Sequence, residues 1–263
     1  MAAFGTEIER LRDLLRQYQS VAVAFSGGVD STVLLDNCCS VLPKERVVAL
    51  HAASCLHSAQ ASAMTERVVA SHFADRCRFV ALECAPLKWP DFTANDRLRC
   101  YHCKYRTFSL LLAEMEKYGC QVLLDGTNTT DLGDYRPGQQ AAKELGVVSP
   151  FLLANMAKED IRRYARTVGL INHDLPSNSC LATRIERGQK ITEEMLGVVE
   201  RAENFLSGLG FQAVRVRPLA DRVLIEVAED DLVRIMEQDN RAAMVDYCRD
   251  NGLGKVYVGL AGR

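Results

Sequence analysis

The sequence contains no apolar stretch near the roughly 18 residues that a membrane-spanning helix needs. Its first 15 residues mix acidic and basic side chains and do not form the apolar core of a signal peptide, so we expect a cytoplasmic protein. The net charge of −2 provides no strong basic field of the kind that favours nucleic acid. Only one tryptophan is present, but 48% of the 263 residues are apolar, so a full core can form without disulfide bonds.

The ten cysteines are expected to stay reduced in a cytoplasmic protein unless they bind metal or perform redox chemistry. The adjacent Cys38 and Cys39 lie in an apolar helical run, which favours buried thiols. The sequence has no second C-x-x-C or H-x₃₋₅-H to complete a four-ligand zinc site with Cys100-Tyr-His-Cys103. Together with Cys180 these cysteines favour a [4Fe–4S] cluster with one open iron. The alternative is that the three cysteines are unrelated.

Short apolar runs alternate with helical patterns through the first part of the chain. The predicted strands are Val21–Phe25, Val47–Leu50, Phe79–Leu82 and Val122–Leu124, and the helical patterns cover 6–18, 32–41, 58–73 and 102–118. This alternation predicts right-handed crossovers and a parallel sheet covered on both faces, that is, an α/β domain over residues 1–188. Such sheets bind ligands at the carboxyl ends of their strands.

The pattern changes after a predicted linker at Gly188-Gln-Lys. Thr192 is a suitable N-cap for a helix, and alternating strands are predicted at 211–217 and 222–227. Further helical stretches follow, with a last strand at 255–258. A helix, a hairpin and more helices predict a smaller α+β domain over residues 189–263.

A glycine-rich loop, Ser26-Gly27-Gly28-Val-Asp30-Ser31, follows the first predicted strand and precedes a helix. The glycines let the backbone approach an anion, and the amide groups at the helix N-terminus point toward it. The two serines add hydroxyl donors, and Asp30 supplies an oxygen ligand for Mg²⁺. The segment does not match the G-x-x-x-x-G-K-[ST] pattern of a Walker loop. An ordinary turn is the alternative.

A second polar segment follows the strand at Val122–Leu124. It reads Asp125-Gly126-Thr127-Asn128, then Asp131-Leu-Gly-Asp134-Tyr-Arg136-Pro-Gly138. Glycine, asparagine, aspartate and proline all favour turns, so turn formation alone explains much of this composition. Its place at the end of a parallel strand favours contact with a nucleotide.

Arg215 and Arg217 lie two residues apart in a predicted strand, so they share one face at a spacing of roughly 6–7 Å. Two guanidinium groups on one face suit a phosphate. Glu203 lies at the edge of the apolar stripe of its helix, and Glu226 lies on the adjacent strand. The hairpin register, which decides whether Glu226 shares the arginines' face, is open at this stage. A solvated face with ion pairs is the alternative.

Taken together, these motifs resemble the LarE family of ATP-dependent sulfur transferases, within the PP-loop ATP pyrophosphatases. The resemblance rests on SGGVDS at 26–31, RCYHCK at 99–104, GTNTTDLGDYRPG at 126–138, SCLATR at 179–184 and GFQAVRVR at 210–217. Thr129 and Thr130 depart from the family, where an acidic residue often follows GTN. The implied fold is a Rossmann-like, parallel-sheet ATP pyrophosphatase domain with a smaller C-terminal α+β domain for substrate binding and oligomerisation.

The resemblance implies that ATP adenylylates the carboxylates of pyridinium-3,5-dicarboxylate mononucleotide, and that sulfur then displaces AMP to give thiocarboxylates. This reaction belongs to the synthesis of the nickel-pincer nucleotide cofactor of lactate racemase. Some members of the family take sulfur from a single cysteine, at the position of Cys180, which is left as dehydroalanine. In others three cysteines hold an iron–sulfur cluster. Because Cys100, Cys103 and Cys180 are all present, the cluster type is implied.

The resemblance also implies roles for individual residues. The catalytic residues would be Asp30, Cys100, Cys103 and Cys180. The residues that contact ATP would be Ser26, Gly27, Gly28, Asp30, Ser31, Gly126, Thr127 and Asn128. The residues that contact the substrate would be Arg136, Arg184, Arg215 and Arg217. Asp30 is the expected Mg²⁺ ligand, the three cysteines ligate the [4Fe–4S] cluster, and Glu203 and Glu226 are further candidates for metal binding. The expected partners are the mononucleotide, a sulfide donor and further copies of this chain, without membrane or nucleic acid. A tRNA thiolase and a non-catalytic nucleotide- and zinc-binding module are the rival hypotheses.

Overall fold

The computed structural model of the chain describes residues 5–133, 137–176 and 179–261. The chain divides into two compact units, the first made of Met1–Ala85 and Leu98–Asn178, the second of Pro86–Arg97 and Ser179–Arg263. This division differs from the predicted boundary after residue 188. Within the second unit, Asn95 Nδ2 donates to the backbone oxygens of Glu186 and Gln189 at 2.8 and 3.0 Å. These long-range bonds tie the 86–97 segment to the residues after 179, which no local pattern in the sequence indicates.

Seven strands and eleven helices lie within the described residues. The strands are β1 (Val21–Ala24), β2 (Val47–Ala53), β3 (Arg78–Glu83), β4 (Val122–Leu124), β5 (Arg215–Leu219), β6 (Arg222–Glu226) and β7 (Lys255–Val258). The helices are α1 (Thr6–Leu15), α2 (Val29–Val41), α3 (Ala59–His72), α4 (Pro90–Thr93), α5 (Arg99–Lys117), α6 (Pro137–Glu144), α7 (Pro150–Leu153), α8 (Lys158–Thr167), α9 (Glu193–Gly208), α10 (Leu232–Ile235) and α11 (Gln238–Asp250). None of these helices is both long enough and apolar enough to cross a membrane.

The described part of the first unit contains a four-stranded parallel sheet in the order β3-β2-β1-β4. Alternate side chains of β1 enter two different cores. Val21 and Val23 pack with α1, α2 and α8, whereas Ala22 packs with side chains of α5 and α6. Both faces of the sheet are therefore covered, and the predicted α/β fold is confirmed.

The helix after the glycine-rich loop begins earlier than the sequence indicates. We predicted a helix over residues 32–41, but α2 starts at Val29, directly after Gly28. Asp30 and Ser31 consequently lie in the first helical turn and not in a loop. This position places both side chains beside the amide groups that begin the helix.

The described residues of the second unit form a three-stranded sheet in the order β5-β6-β7, with an antiparallel hairpin and a parallel third strand. Thr192 caps α9, as predicted, because its side chain accepts a hydrogen bond from Met195 N at 3.2 Å. The predicted strand at 211–217 is shorter, since β5 begins only at Arg215. Phe211 and Val214 are instead buried in the core beside the sheet.

Candidate active site

The glycine-rich loop has a backbone shape that only glycine readily provides. Gly27 has a φ of 75°, and a Cβ there would lie 2.1 Å from Thr65 Oγ1. Ser31 Oγ donates to Gly28 O at 3.0 Å and accepts from Ser26 N at 3.2 Å, which closes the loop on itself. The predicted loop residues are thus brought together at the carboxyl end of β1 and the start of α2.

Asn172 supports the loop from a distant part of the chain. Its side chain is fully buried, and Nδ2 donates to Gly27 O and to Thr32 Oγ1, each at 2.9 Å. Sequence reasoning missed this residue, because nothing near position 172 indicates a contact with residue 27. His51, also missed, lies on β2, and its Nδ1 is 2.9 Å from Phe25 O.

Asp30 forms an ion pair with Lys158, the first residue of α8. Lys158 Nζ donates to Asp30 Oδ2 at 2.5 Å. The other carboxylate oxygen, Oδ1, is buried and has no hydrogen-bond partner within the described residues. Burial raises the pKa of Asp30, while the Lys158 ammonium group acts in the opposite direction. An oxygen in this state has the chemistry of a Mg²⁺ ligand, so Asp30 fits the predicted role.

The segment after β4 contacts the glycine-rich loop, as the topology of a parallel sheet requires. A Cβ at Gly126 would lie 3.1 Å from both Asp30 Cβ and Ser31 N, so these two backbones approach closely. Asp125 accepts from Thr127 N at 3.2 Å and from Thr127 Oγ1 at 2.8 Å. Asn128 Oδ1 accepts from Thr130 N at 3.1 Å. The hydrogen bonds of Thr127 and Asn128 are therefore those of a turn, and their contact with a nucleotide stays a prediction.

Thr130 belongs to the same arrangement, since its Oγ1 accepts a hydrogen bond from Lys158 N at 3.1 Å. The position at which this sequence departs from the family pattern thus helps to fix the helix that carries Lys158. Arg136, a predicted substrate ligand, lies outside the described residues.

Cys100 and Cys103 lie in the first turns of α5, three residues apart, so they share one side of the helix. Both are half-buried. Arg99 Nη2 lies 3.8 Å from Cys100 Sγ. Cys180 belongs to the second unit. No group of three or more histidine, cysteine, aspartate or glutamate side chains suited to a metal ion occurs in the described parts of the chain. The iron–sulfur cluster therefore stays a prediction.

Cys180 immediately precedes a single 3-10 turn, Leu181–Arg184, in the second unit. Arg184 is buried and pairs with Glu203 of α9 through two hydrogen bonds, Nε to Oε1 at 2.8 Å and Nη2 to Oε2 at 3.1 Å. Arg184 and Glu203 are thus paired with each other, whereas the resemblance implies a substrate contact for Arg184 and a metal-binding role for Glu203.

The hairpin register shows whether Glu226 lies on the same face as Arg215 and Arg217, which the sequence did not decide. Arg215 and Glu226 are directly opposed in the antiparallel pair, so Glu226 shares a face with both arginines of β5. Arg217 Nε donates to Glu226 Oε2 at 3.0 Å, and Arg217 Nη1 donates to Thr183 O at 2.8 Å. Glu226 therefore has a guanidinium partner, which fits an ion pair better than a metal site.

The comparison with known families adds to this geometry. The family described as a PP-loop domain matches residues 3–135, half of the chain, including the glycine-rich loop and the Gly126–Asn128 segment. This chain belongs to the PP-loop family. The α/β fold and the loop at the end of β1 agree with that membership, and a PP-loop domain implies ATP as the nucleotide and Mg²⁺ as its counterion.

Similar proteins extend the comparison of this PP-loop protein beyond residue 135. A protein of Lactiplantibacillus plantarum, 31% identical over 87% of this chain and 82% of its own length, is named pyridinium-3,5-bisthiocarboxylic acid mononucleotide synthase. Uncharacterised proteins of Synechocystis and Methanocaldococcus jannaschii are 32% and 31% identical, over 98% and 92% of this chain and 94% and 90% of their own lengths. The resemblance to the LarE family is thereby confirmed.

Proposed function

We propose that this PP-loop protein is an ATP-dependent sulfur transferase that converts the carboxylates of pyridinium-3,5-dicarboxylate mononucleotide into thiocarboxylates. The observation that carries the ATP-dependent part is Asp30, whose buried Oδ1 lies in the first turn of α2 and has no hydrogen-bond partner within the described residues. The name of the Lactiplantibacillus plantarum relative supports the choice of substrate. The product would serve the synthesis of a nickel-pincer nucleotide cofactor.

In the first step, a substrate carboxylate oxygen attacks the α-phosphorus of ATP. The new O–P bond forms as the bond to pyrophosphate breaks, which leaves an acyl adenylate. Backbone amides of the loop at Gly27 and Gly28, together with Lys158, would stabilise the negative charge that develops on the phosphates. Mg²⁺ on Asp30 would neutralise further charge when it is bound.

In the second step, sulfur attacks the carbonyl carbon of the acyl adenylate and AMP leaves. In the sacrificial route the Cys180 thiolate is the nucleophile, and the resulting thioester is cleaved at the Cβ–Sγ bond as the Cα proton is removed. This leaves a thiocarboxylate and dehydroalanine. In the catalytic route, Cys100, Cys103 and Cys180 would hold an iron–sulfur cluster, which would provide sulfide as the nucleophile in place of the cysteine sulfur. We favour the catalytic route, since all three cysteines are present.

In this proposal, the face of β5 that carries Arg215 and Arg217 binds the phosphate of the mononucleotide. Their alternating positions on β5 put both guanidinium groups on one face. The pairing of Arg217 with Glu226 restrains that guanidinium, which reduces the entropy lost when it binds a ligand.

The test is turnover by anaerobically purified protein with ATP, Mg²⁺, sulfide and the dicarboxylate mononucleotide. We expect pyrophosphate and AMP to form only when the mononucleotide is present, with a product in which sulfur replaces carboxylate oxygen, identified by mass spectrometry. Pyrophosphate release that requires tRNA would instead indicate a tRNA thiolase. Protein that binds ATP but releases no pyrophosphate with either substrate would indicate a regulatory module.

The source of sulfur is tested by single Cys→Ala changes at 100, 103 and 180. If the three thiolates hold one cluster, each change should remove most of the iron and visible absorbance, because an incomplete ligand set exposes a second iron to solvent. Cys55→Ala is the matched control, since Cys55 is exposed and belongs to no predicted site. Dehydroalanine at position 180 after turnover of iron-free, active protein would contradict the catalytic route and establish the sacrificial one.

A further inference from the structure

Arg184 is among the most deeply buried side chains of the second unit. Its side chain is only 1% exposed, although arginine is seldom fully buried unless it is paired. Both oxygens of Glu203 accept hydrogen bonds from one edge of this guanidinium group, at 2.8 and 3.1 Å. Planar, two-point pairing of this kind restricts the orientation of arginine more strongly than a single contact does.

The opposite edge of the guanidinium group faces the segment that carries Cys180. Arg184 Nη1 lies within 2.8–3.2 Å of Ser179 O, Ser179 Oγ, Cys180 O and Thr183 Oγ1. Cys180 O also accepts from Thr183 N at 2.9 Å and from Thr183 Oγ1 at 2.8 Å. The main chain at Cys180 is therefore fixed by several donors, while the cysteine itself is only half-buried.

The same carboxylate is bonded to the strand that carries the two arginines. Glu203 Oε1 accepts a hydrogen bond from Val216 N at 3.0 Å, and Val216 lies between Arg215 and Arg217. Arg217 in turn donates to Thr183 O at 2.8 Å. One connected set of hydrogen bonds thus runs from the main chain of Cys180, through Arg184 and Glu203, to β5.

We propose that Arg184 and Glu203 are positioning residues that hold Cys180 in register with the phosphate-binding face of β5. This inference rests on the proposed function, in which Cys180 either gives up its own sulfur or is a ligand of the cluster that supplies sulfide. It replaces the expectation that Arg184 contacts the substrate, because Nε, Nη1 and Nη2 of Arg184 all donate hydrogen bonds within the protein. It likewise gives Glu203 a role that requires no metal ion.

The experiment compares Arg184→Lys and Glu203→Gln with two matched controls on α9, Arg201→Lys and Glu194→Gln, whose side chains are exposed. Lysine retains the charge but cannot reach Glu203 and the 179–183 segment at the same time. Three quantities are measured for each protein: amide hydrogen exchange in 181–185, the rate of Cys180 alkylation by iodoacetamide in metal-free protein, and the kinetics of thiocarboxylate formation.

In both test variants, exchange in 181–185 and alkylation of Cys180 should each be at least fivefold faster than in wild type. For Arg184→Lys, kcat for thiocarboxylate formation should fall at least tenfold, while KM for the mononucleotide changes less than twofold and the first-turnover burst of pyrophosphate persists. The two controls should match wild type. A merely structural role would not separate kcat from KM in this way.

Unchanged exchange and alkylation, together with a tenfold rise in KM, would overturn the inference and return Arg184 to direct substrate binding. Thr183→Val keeps the test decisive if the other variants unfold. It removes a hydroxyl that accepts from Arg184 Nη1 and donates to Cys180 O, and it leaves the buried pair intact. It should accelerate exchange and alkylation in the same direction, and no acceleration in a folded Thr183→Val protein would also count against the proposal. If wild type forms no thiocarboxylate, the proposed function fails, but exchange and alkylation still decide the positioning role.

Discussion

Two ion pairs lie beside the predicted functional segments, and they differ in how completely their hydrogen-bonding capacity is used. Asp30 and Lys158 have side chains that are 27% and 24% exposed, and one carboxylate oxygen of Asp30 has no partner within the described residues. Arg184 and Glu203 are 1% and 15% exposed, and both oxygens of Glu203 are bonded. We therefore call the Asp30–Lys158 pair incomplete and the Arg184–Glu203 pair closed.

This difference indicates what each pair can do. Buried polar atoms are almost always hydrogen-bonded, so Asp30 Oδ1, which has no partner within the described residues, is suited to bind a ligand. A closed pair offers nothing to a ligand and instead fixes the segments that it joins. A carboxylate paired with a basic side chain can therefore be suited to binding in one unit and to positioning in the other.

The largest expected effect comes from Asp30→Asn, which keeps the size of the side chain and removes its charge. We expect pyrophosphate release to be abolished, because Mg²⁺ loses its carboxylate and Lys158 loses its partner. The melting temperature should change little, since the side chain is partly exposed and asparagine has the same size. The measurement is mononucleotide-dependent pyrophosphate release beside thermal unfolding, with the exposed Asp13→Asn as the control. Release at the wild-type rate would show that the glycine-rich loop is not the ATP site.

The next largest expected effect is on stability. It is measured by comparing the closed Arg184–Glu203 pair with the more exposed Arg217–Glu226 pair. Glu203→Gln should lower the free energy of unfolding of the second unit by about 3 kcal/mol or more, because the buried Arg184 loses its counter-charge. Glu226→Gln should cost about 1 kcal/mol or less, since its pair with Arg217 is 23–28% exposed to water. Urea titration followed by fluorescence of the only tryptophan, Trp89 of the second unit, measures both. Equal losses would mean that burial does not distinguish the two pairs.

The sequence predicted local features well and long-range contacts poorly. The strand at Val122–Leu124, the N-cap at Thr192 and the loop after β1 all follow from periodicity, capping preferences or glycine content. Lys158 and Asn172 reach the loop from 128 and 145 residues away, and no local pattern encodes such pairings. The burial of Arg184 and its pairing with Glu203 are equally hard to predict, because a short motif shows the residue type but not its surroundings.

The smallest expected effect concerns the incomplete pair and its dependence on pH. Burial raises the pKa of Asp30, the neighbouring Asp131 adds to that rise, and Lys158 and Arg162 oppose it. Lys158→Met removes the strongest of the opposing groups, so the pKa of Asp30 should rise further. Mg²⁺ needs the ionised carboxylate; the acid limb of the kcat/KM profile for pyrophosphate release should therefore move to higher pH. At pH 7 the rate should fall roughly tenfold, the scale of one hydrogen bond to a charged group.

Stability gives an independent readout with a definite sign. A carboxyl group whose pKa is raised by folding contributes most favourably below its unfolded pKa, and that contribution is lost as the pH rises through the folded pKa. Lys158→Met should therefore be less stable than wild type at pH 7, with the difference shrinking as the pH falls and Asp30 takes up a proton. Lys158→Arg, which retains the charge, is the control and should keep the acid limb near its wild-type position. If the acid limb does not move in Lys158→Met, the ionisation of Asp30 does not control the rate of pyrophosphate release. The incomplete pair would then have no role in that reaction.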